Sequence, residues 1–298
     1  HAALTEVRAF FDLCDSEGIQ MNHDRDTLLL MGDDFHKLSL ICRLAASVAF
    51  GEERGKDSHC YYNLLYLRNY VMRKYGRAAR RLQADTMGKE LPMPTKPNPQ
   101  RWTTIGEASL QFMGERDLPS TFEHDEGDKF AVPDSWDDMA KKSKNLMEDL
   151  CQQISKMQHD PRIVVATCFE AEMYTQFHKP AMDWNKRPSS LGYDYMFKGG
   201  DFPAQVESRI KWWEEAAEDP PEYFENTFQL VDELFLEGPH DTIGGKPKAE
   251  AYDAMVLRVV QGIHAARDKI VEMYSCWCKV PCLFYHLRGP HKQIVAHF

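Results

Sequence analysis

PKAEAYDAMVLRVVQGIHAARDKIVEMYSCWCKV, residues 247–280, decides the fold class. Tyr252, Met255, Val259, Ile263, Ala266, Ile270, Met273 and Trp277 recur at three- and four-residue intervals, which is the spacing of one helical face. At 1.5 Å per residue the helix is about 50 Å long. A long helix in an all-α domain buries one face, so the stripe is read as the centre of a bundle core; a partner-facing stripe that makes an oligomer is the alternative. Gly262, Ala265 and Ala266 leave room for a neighbouring helix of the same chain to approach closely.

Outward from this stretch the same periodicity recurs. Val206, Ile210 and Trp213 mark one helix, and Pro220 through Phe224, Phe228, Val231 and Phe235 mark another. Asp160-Pro161 opens a third, because a capping carboxylate followed by proline outweighs the β-branched run Ile163–Thr167. Ser135 with Asp138 starts a helix reaching about Gln158. In the N-terminal part, Phe35, Leu38, Cys42, Ala45 and Ala49 form a stripe capped by Asp33 or Asp34. A helix from Asp57 to about Leu82 presents Cys60, Leu64, Leu67, Val71, Ala78 and Leu82, and Leu4 to Cys14 form the first helix, closed by Gly18.

From Asp85 to Pro133 the period stops. LPMPTKPNPQ, residues 91–100, holds four prolines, each removing a backbone donor and biasing its predecessor toward extended geometry. The expectation is an all-α multi-helix bundle in two helical parts, residues 1–84 and 134–298, joined by a Pro-rich irregular linker or strap over residues 85–133.

Composition narrows the class. The chain has 298 residues, 43% of them hydrophobic, and a formal net charge of -10, so it reads as globular, with any contact to nucleic acid confined to a local patch. The longest apolar run, Leu38 to Phe50, is interrupted by Arg43, which argues against a membrane span. Scattered cysteines at apolar helical positions and the absence of an N-x-S/T acceptor lead to an intracellular expectation, cytoplasmic or nuclear.

Against the acidic balance, Arg68, Arg73, Lys74, Arg77, Arg80 and Arg81 fall within fourteen positions, together with Tyr70 and Tyr75. Like charges on one helix repel by a few tenths of a kcal/mol per pair, so an acidic partner is expected, inside the fold or outside it. Inside, the acidic residues Glu214, Glu215, Glu218 and Asp219 are available. Outside, cations with interleaved tyrosines suit an anionic partner, either RNA or an acidic protein surface. The expected function is therefore non-enzymatic binding through the basic helix 68–81.

The alternative is a metal- or thiol-dependent all-α enzyme. Cys276, Cys278, Cys282, His286 and His291 place five borderline-soft ligands near the C-terminus, the chemistry zinc prefers, although a one-residue Cys276–Cys278 spacing differs from the usual structural-zinc pairs. His-Asp pairs at His23, His124, His159 and His240 sit in loops or at helix starts, where Asp acts as a cap. No P-loop, dinucleotide fingerprint, nucleophile elbow or H-E-x-x-H motif occurs, no catalytic residues are assigned, and no family is recognised.

Overall fold

The computed structural model describes residues 34–51, 61–75, 88, 92–98, 102–115, 149, 152–154, 156, 157, 159–185, 201–239 and 241–279. Two compact units divide the chain, His1–Lys37 and Leu38–Phe298. The first contributes only the turn Asp34–Lys37 to the described residues, and the second holds all the others.

The described residues are almost wholly helical, so the protein is all-α. In chain order the helices are α1 Asp34–Phe50, α2 Tyr61–Tyr75, α3 Trp102–Gly114, α4 Pro161–Met173, α5 Lys179–Asn185, α6 Asp201–Glu218, α7 Pro220–Tyr223, α8 Glu225–Asp232 and α9 Lys248–Lys279. A short hairpin, β1 Thr242–Ile243 with β2 Lys246–Pro247, turns through Gly244-Gly245 and leads directly into α9. Among the described residues no helix is long and apolar enough to cross a membrane.

Helix α9 buries the centre of its expected stripe, with Tyr252 and Met273 half-buried at its ends and the Trp277 side chain outside the described residues. Met255, Val259, Ile263, Ala266 and Ile270 are all buried, Val259, Ile263 and Ile270 completely. A Cβ at Gly262 would lie 2.7 Å from the Ala45 carbonyl oxygen and 2.9 Å from the Ala49 Cβ. Both contacts are shorter than real Cβ atoms tolerate, so glycine is what lets α1 and α9 touch. From α1, Leu38, Ile41, Cys42, Ala45, Ala46, Ala49 and Phe50 enter the same core, and α9 also packs along α6.

Helix α4 is more enclosed than α9, because every residue from Ile163 to Met173 is buried. An all-round buried helix needs no amphipathic stripe, which is why its sequence resembles a strand. Asp160 caps it, accepting from the Arg162 N–H at 3.0 Å, with Pro161 in the first turn. Cap and proline thus decide the helix, as the sequence indicates. The helix continues through a π-helical turn, Tyr174–His178. There α3 comes so close that a Cβ at Gly106 would lie 2.5 Å from the Tyr174 ring.

Three expectations need correction. First, the segment 85–133 is not irregular throughout, since it contains α3, whose Ile105, Ala108 and Phe112 are buried. The prolines just upstream hid that short stripe. Second, the helix predicted through Phe224 is broken there. Phe224, with φ -127° and ψ 47°, is fully buried and stacks on Phe169 at 4.8 Å. The free N–H groups of Asn226 and Thr227 then donate to the buried Glu172 carboxylate of α4 at 2.9 and 2.8 Å. A carboxylate from another helix thereby supplies the cap that α8 lacks. Third, the buried face of α2 is rotated from the expected one and carries Arg68 and Asn69 inward with Leu64 and Leu65.

Candidate functional site

The basic helix is α2, and only part of the cluster lies on its outer side. Arg68 follows Leu64 by four residues and Leu65 by three, so helical spacing places all three on the buried face. It is therefore not a surface contact for a partner, as the sequence suggested, but a structural cation. Its Nη2 reaches the Glu115 carboxylate at 2.7 Å, its Nη1 donates to Asn69 Oδ1 at 3.2 Å, and its guanidinium lies 5.4 Å over the Phe112 ring. The acidic partner is Glu115, just beyond α3. Glu215, an expected neighbour, instead meets Lys211 at 3.1 Å and accepts from the Tyr223 hydroxyl at 2.7 Å.

Helices α2 and α3 together hold the Pro-rich strap, which is non-helical over residues 92–98 as its prolines require. Asn69 Nδ2 donates to the Thr95 carbonyl at 2.6 Å and Arg73 Nη1 to the Pro94 carbonyl at 3.0 Å. From α3, Gln111 accepts from the Thr95 N–H at 3.1 Å and donates to the Pro92 carbonyl at 3.2 Å. Thr104 Oγ1 accepts from the Asn98 N–H at 2.8 Å. Backbone outside helices lacks their internal partners, so side chains meet its polar groups. The strap runs antiparallel to α2, with Lys96 beside Tyr66, Thr95 beside Asn69 and Pro94 beside Arg73.

This geometry gathers one patch of two half-buried rings, Tyr70 also packing against the core, beside the exposed Arg73 and Lys96. Tyr66 and Tyr70 stack with centroids 6.4 Å apart and planes at 11°, and the Lys96 ammonium lies 5.9 Å over the Tyr66 ring. Arg73 is exposed one turn beyond Tyr70. Sequence reasoning missed Tyr66 and Lys96. Tyr66 could have been found at four residues before Tyr70, whereas Lys96 arrives only because the strap folds back. Lys74 and Tyr75 belong to α2, but their side chains are outside the described set, as are Arg77, Arg80 and Arg81.

For the alternative enzyme, Cys282, His286 and His291 lie outside the described residues, as do the Cys276 and Cys278 side chains at the end of α9. Among the described residues no group of three or more His, Cys, Asp or Glu is arranged to hold a metal ion. Cys42 and Cys168 are buried and form no disulfide. Burial, with Glu170 nearby, pushes the Cys42 thiol well above its ordinary range, which leaves it an unreactive hydrophobe. Ser39 Oγ stands 3.5 Å from His178 Nε2, but His178 is completely buried and the distance exceeds that of an activated nucleophile. Asp160, the Asp of one His-Asp pair, is the α4 cap.

Comparison with family models, with curated proteins and with solved structures finds no match for this chain.

Proposed function

We propose that this protein is a non-enzymatic helical binding protein that docks an anionic partner, a single strand of RNA, on the outward face of α2. The observation that supports it is the patch itself: two cations from different segments, Arg73 and Lys96, flank the Tyr66–Tyr70 stack. Cations that track phosphates beside aromatic rings that meet bases are the two components of sequence-tolerant single-strand binding. The neighbouring Lys74, Tyr75, Arg77, Arg80 and Arg81 extend the same composition along the chain. An acidic protein surface would use the cations but not the rings.

The test is a fluorescence-anisotropy titration of labelled oligo-uridine against the wild type and an Arg73→Glu/Lys96→Glu variant, in rising salt. Wild-type affinity should fall with a log–log salt slope of about 0.7 per phosphate neutralised, and the variant should bind about ten-fold more weakly or worse. Unchanged binding by the variant overturns the proposal. Binding of poly-glutamate in place of RNA replaces the nucleic acid with an acidic protein surface.

A further inference from the structure

Lys96 reaches the patch because the residue before it is clamped from two helices. Asn69 of α2, completely buried, donates from Nδ2 to the Thr95 carbonyl at 2.6 Å, and Gln111 of α3 accepts from the Thr95 N–H at 3.1 Å. We infer, resting on the reading of this patch as an RNA site, that Asn69 and Gln111 are its positioning residues. They act through Lys96 rather than by contact with the strand, and by closing the strap they set how tightly RNA is held.

Each amide has one orientation that satisfies both of its partners. Arg68 can only donate, and its Nη1 lies 3.2 Å from Asn69 Oδ1, so Nδ2 is the end that meets the Thr95 carbonyl. In the same way the Thr95 N–H can only donate to Gln111, and the Pro92 carbonyl, 3.2 Å from Gln111 Nε2, can only accept. Glu115 in turn holds Arg68 at 2.7 Å, so polar contacts run without a break from the end of α3 through α2 to the strap.

The clamp has a consequence for the cation. Pro94 and Pro97 are buried on either side of Thr95 and Lys96, while Lys96 itself is exposed. Its side chain therefore starts from a fixed backbone position, and its ammonium stands 5.9 Å over the Tyr66 ring. A lysine on a loose segment would give up both backbone and side-chain freedom on holding a phosphate. Fixing the backbone beforehand removes the first of these costs.

A double-variant cycle of Lys96→Met and Gln111→Met on the full chain, read by anisotropy of labelled oligo-uridine in rising salt, tests the assignment. Lys96→Met should weaken binding about three-fold, the size of one exposed charge contact, and lower the log–log salt slope by about 0.7. Gln111→Met changes no charge, yet it should reproduce most of both effects. The double variant should bind no more weakly than Lys96→Met alone, because Gln111 acts through that cation. Circular dichroism gives the folded concentration to which each affinity is referred. Should Gln111→Met not fold, Gln111→Asn, which draws the amide back by one methylene from both backbone groups, takes its place in the cycle. Wild-type binding that Gln111→Met leaves unchanged, or a double variant weakened by the product of the two single effects, overturns the positioning role and leaves the RNA reading standing. No binding of oligo-uridine by the wild type removes both.

Discussion

Along α9, Met255, Val259, Ile263 and Ile270 are buried by apolar contact alone, whereas the strap at residues 92–98 is held by Asn69, Arg73, Thr104 and Gln111 bonding its backbone. The first kind of cohesion is non-directional and scales with area, so similar side chains can replace one another. The second depends on individual donors and acceptors, and loss of one leaves its partner stranded. A further polar tie is Arg68–Glu115, a charge pair with side chains 10% and 8% exposed, which joins α2 to the end of α3. The two regions should therefore fail in different ways.

The largest effect is expected at that pair. Arg68→Met alone leaves Glu115 as an uncompensated, largely buried carboxylate and should destabilise by about 3–5 kcal/mol in urea unfolding. Adding Glu115→Leu should return most of that loss, because removing both charges also removes their desolvation cost. A double variant as unstable as the single one would show that the pair's geometry, not the stranded charge, matters.

On the apolar side, Ile263→Ala should cost about 2–5 kcal/mol and Ile263→Val about 0.5–1.5. The melting temperature of both should be independent of protein concentration, since the stripe is buried within one chain. A melting temperature rising with concentration would instead make α9 an interface between copies.

A smaller effect should follow from loosening the strap. Asn69→Ala with Gln111→Ala removes three bonds to its backbone. Stability should drop by about 1–3 kcal/mol, and limited proteolysis should shift its first cuts into residues 92–98. Cuts that stay where the wild type is cut would mean the prolines alone keep the strap closed.

The smallest effect at neutral pH is expected from the phenols, whose titration is read at high pH. Burial and the charge of Glu107, whose carboxylate also accepts its hydroxyl proton at 3.3 Å, push Tyr174 up to about 12. The hydrogen bond to Glu215 does the same for Tyr223, also to about 12. A raised phenol pKa means that the folded state favours the neutral form, so this contribution is intact below about pH 10 and is lost between about 10 and 12. Tyr174→Phe should remove one late-titrating phenolate from the ultraviolet titration, and titration of every tyrosine at the ordinary value would contradict the Tyr174–Glu107 contact.

Much of the architecture was legible because it is local. The α9 stripe, the Asp160-Pro161 start of α4 and the small residues around Gly262 each express one rule of spacing, capping or size, and each is visible within a few residues. The patch was legible only in part. Tyr70 and Arg73 lie on it, while Arg68 left it because helical spacing put that cation beside Leu64 and Leu65 on the inward face.

By itself, the sequence determined that the described residues fold into helices, where α4 and α9 begin, and that residues 92–98 are non-helical, because period, caps and prolines act within one or two turns. The tertiary structure alone decided the rest. Glu172 caps α8 across 54 residues, Arg68 finds Glu115 across 47, and Lys96 reaches Tyr66 only when the strap folds back. Each is a polar contact between segments distant along the chain. Any of the many acidic residues could pair with any cation until packing brings two of them together, and no local pattern encodes which pair that will be.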